Sequence, residues 1–257
     1  MLITLYSRAL HTGTENPVLS DPWAKKAVDQ IDYDFSGIKL SRIEPLTIAI
    51  RSKQFDRWVS EWMAGTPESI VLHLGCGLDS RVFRLNPPSA VQWFDVDYPE
   101  VIDLRRQLYP ERPGYHMVAS SLLEPAWLNE IPADLPAIIV VEGVLMYLPS
   151  SEVGPLLARL TNHFPGGRIG FDALSRRGVH MAGADKAVSA TGARFGWGLD
   201  DPNDVNQFAP RMDLIVELST PQMPFFDRLP LILQIITRAM EPFPGLRRLN
   251  RMLLYRF

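Results

Sequence analysis

Gly75 and Gly77 flank Cys76 directly after an apolar run, in IVLHLGCGLDSRVFRL at residues 70–85. Glycine has no Cβ, so a ligand can lie against its backbone, and it tolerates positive φ. Further on, WFDVD sets Asp95 and Asp97 at the end of a second apolar run. A glycine loop closing one strand and an acid about 20 positions later, closing the next, can hold an adenosine, with the acid accepting from the ribose hydroxyls. Asp95 and Asp97 lie two apart and point the same way from an extended strand. One is expected on the ribose and the other on loop amides. Position 80 is Ser, so the third glycine of a dinucleotide loop is missing. Adenosine with or without a pyrophosphate therefore fits this far.

Glu142, closing the apolar run of VVEGVLMYL, narrows the choice. An acid in the cleft repels a pyrophosphate and suits a cation. The Tyr-x-x-x-Lys pair of a short-chain dehydrogenase is missing too, because Ser151 stands where the lysine would follow Tyr147. Both features count against an NAD(P)-dependent oxidoreductase. A cofactor with an ammonium and a sulfonium, S-adenosylmethionine, fits the acid better.

Other chemistry-bearing residues are few. Cys76 is the single cysteine. It reads as a space-filler inside the loop rather than a nucleophile, and it permits no internal disulfide, which fits a reducing cytoplasm. Asp79 reads as a cap on the helix that follows the loop. There are five histidines. His73 and His116 fall in strands, and His163 ends a helix, where a cation suits the dipole. His11 and His180 fall in segments able to cover a cleft. With Tyr147 they are the only candidates for a base, and no catalytic residue is assigned. No nucleophile triad or Cys/His metal cluster is visible.

These residues need strands that end together. Strands are expected at SIVLHLG, VQWFDVD, YHMVAS, 137–141 and GRIGFDAL, with helices between them. Strand and helix alternating this way predict a mostly parallel sheet with crossover helices on both faces. Two late strands follow, RMDLIVELS and RMLLYRF, with an apolar helix between them at 226–240 that reads as buried or lid-like. The first 65 residues hold no strand. SDPWAKKAVDQI starts a helix with proline in its first turn, and EPLTIAIRSKQFDRWVSEWMAG has helical spacing and stops at Gly65. Trp23, Trp58 and Trp62 read as core of these helices. FGWGLDDP, 195–202, combines glycine with aromatic surface and reads as a lid, with Phe195 and Trp197 able to stack on a flat acceptor.

The 257 residues, 46% hydrophobic and 21% charged, suit one globular domain. It divides into a helical N-terminal extension, 1–65, and a core, 66–257, with an insert at about 176–210. The net charge of -3 gives no bulk signal for nucleic acid. The basic C-terminal stretch PGLRRLNRMLLYRF reads as a solvated strand edge and its turn. No signal peptide is expected from the N-terminal pattern, and no apolar run reaches membrane length.

Taken in order, VLHLGCGLDSRVFRL, WFDVDYPEVIDLRRQLYPE, SSLLEPAWLNEI and VVEGVLMYLPSSEV closely resemble the leucine carboxyl methyltransferase-like family, in its bacterial polyketide O-methyltransferase branch. The resemblance spans about 12–220. It implies an α/β, Rossmann-like class I methyltransferase with a mostly parallel seven-stranded sheet, a late antiparallel strand and a helical N-terminal extension. It also implies S-adenosyl-L-methionine as cofactor and transfer to an oxygen of a small-molecule acceptor, a carboxylate or a phenol. On the matching positions it puts Arg51 at the cofactor's carboxylate and Gly75, Cys76 and Gly77 beside its methionine part. It puts Asp97 at the ribose with Asp95 as neighbour, Ser121 and Leu122 beside the adenine, and Glu142 and Tyr147 near the methionine end. The family's eukaryotic enzymes carry an acid at the position of Ser121, where the polyketide branch is expected to have Ser, so only a hydroxyl is offered to the adenine. Methyl esterification of a protein C-terminus and non-catalytic binding of the cofactor are the rival readings. A homo-oligomer is compatible with all of them.

Overall fold

The computed structural model of the chain describes residues 1–183 and 194–257. The rest of the expected insert, 184–193, lies outside the described residues. One sheet is built from β1 (Ile70–Leu74), β2 (Gln92–Asp97), β3 (Tyr115–Ala119), β4 (Ala137–Val141), β5 (Gly167–Leu174), β6 (Asp213–Ser219) and β7 (Asn250–Arg256). Their order is β3-β2-β1-β4-β5-β7-β6. β1 to β5 run parallel, and β7 is antiparallel to both β5 and β6. From β1 the chain builds outward to β2 and β3, then returns across the sheet to β4 and β5. The order therefore reverses between β1 and β4, which is where such sheets open a crevice at their carboxyl ends.

The central strands read IVLHL and AIIVV and are buried along their whole length. That suits strands covered on both faces. Ile70, Leu72 and Ile139 pack against Leu156, Leu157 and Leu160 of α6 (Ser150–His163). On the other face Val71, Ile138 and Val140 meet Phe55, Trp58 and Val59 of α3 (Glu44–Gly65). Burying each such side chain contributes about 1.5–3 kcal/mol. α1 (Leu2–Thr12), which has no start signal in the sequence, packs Leu5 and Ala9 beside Ala24 and Ala27 of α2 (Pro22–Gln30) and Leu78 of the glycine loop. The side chain of Asp21 caps α2 by accepting from Ala24 N–H at 3.0 Å.

Several expectations change. The strand RMLLYRF is not an edge: β7 lies inside the sheet between β5 and β6, and its Arg251 is fully buried. The helix after the glycine loop is short, α4 (Arg81–Leu85), followed along the chain by α5 (Pro99–Leu108) and α7 (Arg176–Gly183). The apolar helix is α8 (Leu231–Met240), before the short α9 (Pro244–Arg247), and no residue of α8 is buried. Its Leu231, Ile232, Ile235 and Ile236 stand in solvent. Among the described residues no helix is long and apolar enough to cross a membrane.

Candidate active site

The carboxyl ends of β1, β2 and β4 meet at the reversal of strand order. Gly75 and Gly77 leave β1 with φ of +60° and +51°. A Cβ on Gly75 would stand 2.4 Å from Val144 Cγ2, so both space and conformation require glycine. Asp97, half-buried at the end of β2, accepts from Gly77 N–H at 2.7 Å and from Tyr98 N–H at 2.8 Å. It thus ties the glycine loop to the next strand while part of its carboxylate stays open.

Asp95 does not share that position. It is 1% exposed and ion-paired to Arg105, and it accepts from Trp93 Nε1 at 2.8 Å and Tyr115 Oη at 2.7 Å. Burial opposes its charge, but Arg105, His73 and Trp93 together outweigh that and hold its carboxyl below the usual carboxylate range. Its place as a ribose neighbour is therefore corrected: it braces the loop from beneath, since Arg105 also donates to Gly77 O and Asp79 O, each at 2.8 Å. Cys76 is buried too, and burial pushes its thiol well up. Its side chain fills space under the loop, as the sequence suggested, which leaves only its backbone to face a ligand.

Glu142 ends β4 but does not stand alone in the cleft. It accepts from Arg51 Nε at 3.0 Å, Ser52 Oγ at 2.9 Å and Arg81 Nη2 at 2.5 Å. Burial works against its charge, yet Arg81 and Arg51 hold it down to about 2. The expected free acid facing an ammonium is therefore already neutralised by two guanidinium groups. Arg51 also gives Nη1 to Asp172 Oδ2 at 3.1 Å. Asp172 lies near the end of β5, where burial raises its carboxyl despite Arg51 and the Gly143 N–H at 2.6 Å. Arg51 lies over Gly143 (φ +67°), with Nη2 at 3.4 Å from where a Cβ would sit. Two nitrogens of this guanidinium are held by carboxylates, and Nη2 lies beside Gly143.

Sequence reasoning missed most of this network. Arg81 is fully buried against Asp56, Asp79 and Glu142. Arg84 joins Asp56, Asp79 and Asp21, and Arg8 of α1 joins Asp21 while donating to Leu78 O at 2.9 Å. Asp79 is thus an ion-pair partner and not the expected helix cap: Ser80 holds the cap position. Four arginines (8, 51, 81, 84) face five acids (21, 56, 79, 142, 172), one negative charge in excess. An acid at the end of β5, in GFDAL, was the one readable signal: it repeats the position of Asp97 and Glu142.

The other candidates scatter. Ser121 is half-buried beyond β3, its Oγ accepting from Leu123 N–H at 3.3 Å, and Leu122 is buried. Tyr147 is exposed at the rim, its ring stacked on Phe195 at 5.0 Å. Burial raises its phenol, so it remains a donor rather than a base. His11 is buried, and its Nε2 accepts from Val18 N–H at 2.8 Å, which engages the nitrogen a base would need. His180 is exposed on α7. Trp197 is core, 7% exposed and packed on Phe171, so its lid role is corrected. Its segment is pinned by Gly196 N–H to Met146 O at 2.8 Å and Leu199 N–H to Leu174 O at 2.8 Å.

The chain is 37% identical, over 100% of its length and 95% of the relative's, to the tetracenomycin polyketide synthesis O-methyltransferase TcmP of Streptomyces glaucescens. It is 33% identical, over 82% of its length and 78% of the relative's, to the S-adenosyl-L-methionine-dependent methyltransferase dpfgK of Gibberella zeae. The fold is shared with a Thermobifida fusca protein described as a methyltransferase, at 17% identity, a TM-score of 0.62 and coverage of 99% and 94% of the two chains. The profile of the leucine carboxyl methyltransferases matches residues 1–161. With that match and a full-length relative at this identity, the chain belongs to the leucine carboxyl methyltransferase family.

Proposed function

We propose that the chain transfers a methyl group from S-adenosylmethionine to an oxygen of a polyketide-type small molecule, a carboxylate in preference to a phenol. The observation that carries this reading is Arg51: its Nε and Nη1 are fixed by Glu142 and Asp172, and its Nη2 lies beside Gly143. A guanidinium so fixed presents a preset donor edge to a carboxylate. The cofactor's methionine carboxylate belongs there, its chain along Gly75 and Gly77, and its ribose at Asp97. The excess negative charge of the buried network suits a ligand that is cationic overall.

When bound, S-adenosylmethionine supplies a methyl group on a cationic sulfur, released to an acceptor oxygen as the carbon–sulfur bond breaks and its electron pair stays on sulfur. The protein orients the reactants and keeps water out, effects worth about 7–11 kcal/mol in well-aligned cases. A carboxylate acceptor is ionised at neutral pH, with an ordinary pKa of about 4. It needs no base, in keeping with an engaged His11 and a protonated Tyr147. Tyr147 can instead donate a hydrogen bond at the rim. The name of the full-length relative supports oxygen as the acceptor atom and a polyketide as its class.

Incubation with methyl-labelled cofactor and a panel of aromatic carboxylates and phenols tests this reading. Labelled methyl esters, with fewer aryl ethers, are the expected products by NMR. Label on nitrogen or carbon, or on no member of the panel, would contradict it.

A further inference from the structure

Beyond Arg51 the crevice continues away from the glycine loop. A cavity of about 290 Å³ opens between α3, the start of β7 and the turn at 226–229. Its walls are Ile50 of α3, Phe226 and Leu229 of the turn, and Met252 of β7, with Arg51 at its inner end. If the ribose lies at β2 and the methionine carboxylate over the end of β4, this cavity beside β5 and β7, lined by Arg51 itself, is a volume next to the cofactor that an acceptor can fill. The β7 register fixes the place: Met252 pairs with Asp172, which holds Arg51.

We propose that this cavity is the acceptor pocket, and that it takes a flat, mainly apolar aromatic molecule that is neutral or anionic. The assignment rests on the methyltransferase reading above. Three features define the ligand class. The walls are mainly apolar, and Thr47, Thr220 and Asn250 add uncharged polar groups. Among the described residues the lining holds no acidic side chain to partner a cationic acceptor, and its one charged group, Arg51, is already paired with Glu142 and Asp172. The outer wall is mounted on a strained residue, since Phe225 takes φ +58°, an outlier for a bulky side chain. Strain of this kind is held where the surroundings fix it, often at ligand clamps. Here Gln234 of α8 fixes the turn by donating to Asp227 O at 2.9 Å and Leu229 O at 2.7 Å. The acceptor pocket thus moves from the expected lid at 195–202 to the 220–229 segment.

The probe is 6-hydroxy-2-naphthoate, an aromatic anion that carries both kinds of acceptor oxygen. Its fluorescence is titrated with the full chain saturated in S-adenosylhomocysteine. Met223→Trp and Thr220→Trp place a large ring at half-buried positions of the cavity lining. Each is expected to weaken probe binding at least tenfold while S-adenosylhomocysteine affinity stays within about twofold, which also shows that the variants are folded. Ile232→Glu combined with Ile235→Glu, on the exposed face of α8, is expected to leave probe binding unchanged. Undiminished binding in both tryptophan variants, or loss only in the α8 variant, overturns the pocket. So does an unsubstituted chain that binds S-adenosylhomocysteine but not the probe. Failure of the unsubstituted chain to bind S-adenosylhomocysteine would instead overturn the cofactor reading beneath it.

Discussion

At the β1–β2–β4 end of the cleft, charged side chains are buried and matched: Arg81 and Arg84 sit among Asp56, Asp79 and Glu142 beneath the glycine loop. At the β5–β7 end the walls are Ile50, Phe226, Leu229 and Met252, and the helix behind them, α8, exposes its apolar side to water. The first end is over-determined by directional bonds, and the second is shaped by non-directional contact. A fixed ionic frame suits a ligand with unchanging charges and a set length. An apolar wall on a strained turn suits a ligand whose outline differs from one enzyme to the next.

The largest effect should come from breaking the ionic frame. Arg81→Met leaves three buried carboxylates short of a partner, and removing one member of a buried pair costs about 3–5 kcal/mol. Urea unfolding should show a lower midpoint at unchanged slope. A smaller effect sharpens the same point through pH. Glu142 sits below its ordinary 4.5, at about 2. A depressed acid contributes stability above its unfolded pKa and loses it as pH falls through the folded one. Stability should therefore drop between about pH 4.5 and 2, and the drop should be shallower in Glu142→Gln. Asp172, raised by burial, works the opposite way, so replacing it by Asn should not shrink that acid limb. The smallest effect belongs to the other region: Ile235→Ser on α8 should change stability by no more than about 0.5 kcal/mol. A loss of several kcal/mol there would mean that this face is covered in solution.

The sequence was most legible where one residue type answers one requirement. Runs such as IVLHL and AIIVV announce strands buried on both faces, and Gly75, Gly77, Asp97 and Glu142 all stand at the carboxyl ends of parallel strands. It was least legible where the outcome depends on partners distant in the chain. Asp95 and Asp97 share a direction from β2, but Arg105 of α5 claims the first and leaves the second half-buried on the glycine loop. Glu142 reads as an open acid until Arg51 and Arg81 arrive from α3 and α4. FGWGLDDP has lid composition, yet Trp197 finds Phe171, and the segment's N–H groups find the carbonyls of Met146 and Leu174. Composition reports what a segment can do, and these three cases turn on what else reaches it.

Calorimetric titration of S-adenosylhomocysteine into the chain and into Arg51→Met and Asp97→Ala, with NADH as the control ligand, tests the central claim most directly. The account predicts binding by the unsubstituted chain, no heat with NADH, and an affinity lower by about tenfold or more in each variant, since a hydrogen bond to a charged group is worth about 1.5–3 kcal/mol. Binding that survives both substitutions, or a signal with NADH alone, would contradict it.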